Sequence, residues 1–182
     1  MSNNNGDPVP LHKRIPPALF KQFKEHLANT LSIEPDNKKK LLASPFATLY
    51  SICLALNIQE EQVSHYISEF IHADFLEEFN HDEVDLSILS LSFCRENSIA
   101  AAKDKDGEKA IVISNPFNWS LLDLIDQIGG ETSSYKIVIA TPKTIKDVLQ
   151  SEYFAALAVR KEEQAPIPSA GKTNDCLTKR RV

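Results

Sequence analysis

Cysteine, glycine, tryptophan and methionine are all scarce in this chain: three, five, one and one among 182 residues. Cys53, Cys94 and Cys176 are odd in number and lack CxxC spacing. That pattern argues against a disulfide framework and reads as isolated reduced thiols, with Cys53 and Cys94 in apolar, core-like surroundings. No glycine-rich phosphate loop can be assembled, nor can a Ser-His-Asp set or a paired-carboxylate signature, so the expectation is a non-enzyme. No apolar run approaches the ~20 residues of a membrane-spanning helix. The opening MSNNNGDPVPLHKR has no apolar signal-peptide core behind its charges, which makes the cytoplasm the expected compartment. Positive charge is not in excess: the net charge of −5 argues against a nucleic-acid-binding surface.

What is present is ordinary globular material, 42% hydrophobic and 25% charged. Pro16-Pro17 opens a helix to about Leu31 with Leu19, Phe20, Phe23, Leu27 and Leu31 on one side. Glu34-Pro35-Asp36-Asn37 reads as its break, followed by the solvated Lys38-Lys39-Lys40. Helices are predicted from Pro45 to about Leu56 and from about Glu60 to Ile71. Phe75, Leu76 and Phe79 read as a short apolar bridge, and Leu86, Ile88, Leu89 and Leu91 suggest a last helix.

The second half changes period. Ile99–Lys103 and Lys109–Ser114 flank Asp104-Lys105-Asp106-Gly107, a hairpin signal. The run AIVIS is apolar on consecutive residues, which suits a central strand covered on both faces. Asn115-Pro116 ends it, with Asn115 or Asn118 as the cap of a helix carrying Leu121, Leu122, Ile125 and Ile128, closed by Gly129-Gly130. Tyr135–Ala140 is the next strand. Thr141-Pro142 then opens a helix with Ile145, Val148 and Leu149, continuing through YFAALAV to about Glu163. The whole is an α+β fold: N-terminal helices followed by a small ββαβα mixed-sheet unit. The expected division is a disordered tail at 1–10, a helical extension at 11–40, the α+β domain at 41–164 and a disordered linker at 165–182.

AIVISNPFNWSLLDLI resembles the N-terminal domain of the type II secretion and type IV pilus assembly ATPases, through Ser114, Asn115, Pro116, Phe117 and Asn118. Ala140-Thr141-Pro142 is similar to that family's second helix entry, and SFCRENSIAAA (Ser92 to Ala102) to its Phe-Ala-Arg-x-x-x-Val approach to the first strand. Ile58-Gln59-Glu60-Glu61 is similar to an Ile-x-Glu-Glu helix opening. The resemblance covers about Ser44 to Gln150. It implies a non-catalytic docking or adaptor domain, without a cofactor, that binds a cytoplasmic part of an inner-membrane secretion or pilus assembly protein. It implies neither nucleic acid nor membrane insertion. The stripe of the Pro16 to Leu31 helix lies outside the region of resemblance and needs a surface to cover it, which makes Phe20, Phe23, Lys24 and Leu27 the candidate partner-binding residues; packing of Phe20, Phe23 and Leu27 on their own domain is the plainer and favoured reading. A branch of the family binds cyclic di-GMP through Arg-Leu-Gly-x-x-Leu. Here Ala47-Thr48-Leu49 stands at the equivalent place, so that alternative is not favoured.

Three further signals have plainer readings. Ser169-Ala170-Gly171-Lys172-Thr173 lacks the first glycine and the strand–helix context of a phosphate loop. Asp104-x-Asp106-Gly107 lacks the remaining ligands of a calcium loop. His65, His72, Asp74 and His81 match no common zinc spacing.

Overall fold

The computed structural model describes residues 10–103, 108–129, 135–151 and 154. The elements in chain order are α1 (Leu11–Arg14), α2 (Ala18–Thr30), α3 (Pro35–Ala43), α4 (Leu49–Ala55), α5 (Glu60–Ile71), β1 (Asp74–Leu76), α6 (Leu91–Asn97), β2 (Ile99–Lys103), β3 (Lys109–Ile113), α7 (Trp119–Gly129), β4 (Lys136–Ala140) and α8 (Pro142–Leu149). Short 3-10 turns lie at Phe46–Thr48 and His81–Glu83. This is an α+β fold.

The described strands form one mixed sheet in the order β1-β4-β3-β2. β3 and β4 run parallel, with Ala110 to Ile113 opposite Lys136 to Ile139, as a helical crossover between them requires. β2 pairs antiparallel with β3, from Ile99↔Ile113 to Lys103↔Lys109. The apolar run AIVIS does lie inside the sheet, and Ala110, Ile111, Val112 and Ile113 are all buried. The outer edge of β2 is shielded by a bridge from Val84 to Ala102 and by the Asp85 N–H donating to the Ala101 carbonyl at 2.8 Å.

Three local readings need correction. Asp74–Leu76 is a strand, not a bridge: it pairs parallel with β4, from Asp74↔Val138 to Leu76↔Ala140. Three residues are too few for a period to show. Glu34-Pro35 starts a helix rather than merely ending one. Glu34 is extended, Pro35 sits where a missing N–H costs nothing, and the helix buries Leu41 alone, too faint a stripe to read. The last helix before the sheet begins at Leu91 and not near Leu86. Asp85 accepts the Ser87 N–H at 2.9 Å and its hydroxyl at 2.5 Å, which holds this stretch as a turn. Ser90 then caps α6 by accepting the Phe93 N–H at 3.3 Å.

The core is continuous. Leu11, Ile15, Phe23 and Leu27 belong to the same buried cluster as Ile111, Leu122 and Ile139, so packing shows no break between 11–40 and the residues after it. Positive φ at Ser32, Asn57, His72 and Ser98 closes the turns after α2, α4, α5 and α6. α8 does not run on unbroken toward Glu163: it ends at Leu149, Gln150 leaves helical geometry and the Ser151 N–H closes a tighter turn on the Val148 carbonyl at 3.2 Å. The expected Asp104–Gly107 turn, Gly130, residues 152, 153 and 155–163 and the tail with Cys176 and Ser169–Thr173 lie outside the described residues, as do residues 1–9.

Candidate functional site

The apolar stripe of α2 faces inward. Phe23 and Leu27 have no exposed surface, Lys24 is buried and Phe20 is half-buried. Phe23 stacks on Phe117 with ring centroids 5.0 Å apart and meets Phe70 edge-on at 5.4 Å, while Phe20 lies 5.1 Å from Phe117. The aromatic at the Asn-Pro helix entry is thus clamped between two rings of α2. Lys24 donates from Nζ to the Leu42 carbonyl at 2.5 Å and the Ser44 carbonyl at 2.7 Å, with the Phe20 ring 4.5 Å away. It closes the C-terminus of α3, where carbonyls lack helical partners. Burial pushes its pKa below the usual lysine value. Of the four residues expected to meet a partner, three are therefore spent inside the chain.

The Asn-Pro entry is tied to the helical half by polar groups. Asn115 Nδ2 donates to the Phe46 carbonyl at 2.7 Å, and its Oδ1 accepts the Phe117 N–H at 3.2 Å. Asn118 accepts the Leu121 N–H at 3.3 Å, so the first turn of α7 is capped from Asn118. Tyr50 donates to the Ser114 carbonyl at 2.7 Å and pairs with the Ser64 hydroxyl at 2.9 Å. Burial raises the Tyr50 phenol above its ordinary value. Thr141 caps α8 in the same manner, its hydroxyl accepting the Thr144 N–H at 2.9 Å.

An open cleft of about 940 Å³ lies beyond the carboxyl ends of β1 and β4, between the starts of α5 and α8. Such a position commonly receives ligands in open α/β sheets. Its charged lining is Glu60, Glu61, Glu77 and Asp147 against Lys143 and Lys146, so negative charge exceeds positive by two. That balance does not favour a phosphorylated ligand. The family model of the MshEN domain matches residues 72–156. Residues 72–156 thus resemble an MshEN domain. This is the N-terminal domain type of secretion and pilus ATPases, and here it takes in the whole sheet and α6 to α8. The match spans somewhat under half of the chain and begins after α5, so the helical pair α4–α5 stands outside it. No curated protein matches the chain.

Within the matched residues, the arginine of the strand-approach motif has a structural partner. Arg95 Nε and Nη2 both donate to the Leu149 carbonyl, at 2.9 and 2.6 Å, and so fasten the end of α8 to α6. The histidines considered as metal ligands are used separately. His65 lies 4.0 Å from the Phe75 ring, His72 is the exposed left-handed cap of α5, Asp74 pairs with Lys136 at 2.7 Å and His81 with Asp82 at 2.9 Å. Among the described residues no group of three or more His, Cys, Asp or Glu side chains could hold a metal ion. Burial pushes the Cys53 and Cys94 thiols up to about 11, which leaves them protonated and unreactive near neutrality.

Ile128, expected on the inward stripe of α7 with Leu121, Leu122 and Ile125, instead lies outward at the end of the helix, and the periodicity did not single out Leu124 or Leu54. Leu124 and Ile128 are 41% and 48% exposed one turn apart on α7, and Leu54 is 52% exposed on α4. Leu124 was invisible because the inward stripe of α7 is already filled by Leu121, Leu122 and Ile125. A second apolar strip was the available signal.

Proposed function

We propose that the chain is a non-catalytic docking module, which binds a cytoplasmic domain of an inner-membrane secretion or pilus assembly protein. The observation that carries this reading is the MshEN match over residues 72–156. The burial pattern supports a choice of contact surface. With Phe23, Lys24 and Leu27 consumed internally, the outward strip of α7, Leu124 and Ile128, offers apolar surface within the matched residues for a partner, and Trp119, exposed on the same helix, is engaged with His12. Helix faces of this kind dock into apolar grooves through side chains one turn apart. Among the described residues no helix is long and apolar enough to cross a membrane. Recruitment to the membrane would therefore run through the partner.

The cyclic di-GMP alternative finds less support. At the place where the binding motif has glycine, Leu49 stands with no exposed surface, and Ala47 replaces the arginine. The test is a calorimetric titration of the whole chain, wild type and Leu124→Asp/Ile128→Asp, with the cytoplasmic domain of such an assembly protein. Binding by the wild type that weakens at least about tenfold in the variant supports the reading, since buried apolar contacts of this size are worth one to three kcal/mol each. Equal binding by both would remove α7 from the interface.

A further inference from the structure

We propose that residues 10–15 form a releasable N-terminal strap, with Asp126 as its catch. The Asp126 carboxylate accepts the Leu11 N–H at 2.9 Å through Oδ1 and the His12 N–H at 3.0 Å through Oδ2, and Oδ2 also meets His12 Nδ1 at 2.8 Å. One side chain thus holds two backbone donors and the imidazole of a helix only four residues long. Trp119 closes the other side: its Nε1 donates to the His12 carbonyl at 3.1 Å, and its ring meets the imidazole edge-on at 5.6 Å. Arg14 reaches the Tyr135 carbonyl at 2.9 Å, and Asp123 stands 3.6 Å from His12 Nδ1.

The device is separable for three reasons. A single helical turn does not hold itself in water, so α1 exists only while docked on α7. The connector to α2 contains Pro16 and Pro17, which have no N–H to donate, so it adds no backbone donor to the rest of the fold. The polar anchors sit on α7 and on Tyr135, more than a hundred residues away in sequence, while α2 is held independently through Phe23, Lys24 and Leu27. One carboxylate shared among three donors makes the polar attachment of the strap to α7 depend on Asp126. Leu11 and Ile15, both buried, seat it when closed. The inference is independent of the docking reading.

Trp119 is the sole tryptophan, so its emission reports the strap directly. The test is hydrogen exchange by mass spectrometry together with Trp119 fluorescence on the full chain, comparing wild type with Asp126→Asn and Asp123→Asn. Asp126→Asn should speed exchange at residues 11–15 about tenfold or more and shift Trp119 emission to the red, because hydrogen bonds to a charged group are the stronger kind. Exchange in β3, β4 and α5 should stay at the wild-type rate, and Asp123→Asn should behave as wild type. Unchanged exchange in Asp126→Asn would remove Asp126 as the catch. Loss of protection throughout the core in that variant would show that the strap is not a separate unit.

Discussion

Replacing Tyr50 by phenylalanine removes one oxygen and leaves the ring. That hydroxyl has one proton, given to the Ser114 carbonyl at 2.7 Å, so at the 2.9 Å contact Ser64 is the donor. Ser64 is fully buried, and Ser114 lies at the end of β3 where the chain turns into α7. The variant strands a buried hydroxyl and a carbonyl together. Two hydrogen bonds at about 1 kcal/mol each, with the penalty for leaving buried groups unpaired, give a loss of about 2–3 kcal/mol. In a domain of this size that lowers the melting midpoint by about 4–10 °C. Ser64→Ala alone should cost about 1 kcal/mol, and the double variant about 1 kcal/mol less than the sum, since the second substitution removes the partner the first left unsatisfied. Urea unfolding followed by circular dichroism measures all four corners of the cycle. A Tyr50→Phe cost below about 0.5 kcal/mol, or strict additivity, would refute the claim that this network joins α4 and α5 to the sheet.

Other perturbations follow from the same packing. Phe23→Ala should cost about 3–5 kcal/mol in urea unfolding, as expected for emptying a buried aromatic site, whereas a partner-facing phenylalanine would be nearly neutral in the isolated chain. Lys24→Met keeps the stem and deletes the donor to the Leu42 and Ser44 carbonyls, and should destabilise by about 1–3 kcal/mol; an unchanged denaturation midpoint would show that α3 closes without it. Alkaline pH should weaken the fold. The Cys53 and Cys94 thiols sit at about 11 when folded against 9.0 as the ordinary value, so above pH 9 the unfolded chain releases protons that the folded chain retains. That stability is whole below pH 9 and falls through pH 11, by about 1 kcal/mol per thiol at pH 10. Cys53→Ala/Cys94→Ala should flatten the slope of stability between pH 8.5 and 10.5, and an equal slope would contradict the assignment.

Much of this was readable where local chemistry is strong. α5 runs from Glu60 to Ile71, as its apolar spacing indicates, and the strand at Ile99–Lys103 matches its run. Thr141 caps α8 because a threonine before a proline satisfies an orphan N–H, and a short motif suffices to reveal that. β1 was not readable: its three residues are made a strand by pairing with Val138, Ile139 and Ala140, which lie more than sixty positions away. The stripe on α2 was readable as an apolar face but not as to what covers it. Phe117 and Phe70 are supplied from α7's entry and from α5, and periodicity does not name a partner. The same limit hid Lys24: a lysine beside an apolar stripe reads as surface until the ends of α3 are seen to need a donor.

The most direct test of the docking account is one calorimetric experiment on the purified whole chain, with two titrants. One is the cytoplasmic domain of an inner-membrane assembly protein from the same secretion or pilus system, and the other is cyclic di-GMP. The account predicts saturable binding of the protein domain and no heat from the nucleotide. Micromolar or tighter cyclic di-GMP binding with no protein binding would contradict it, and would make the chain a nucleotide sensor.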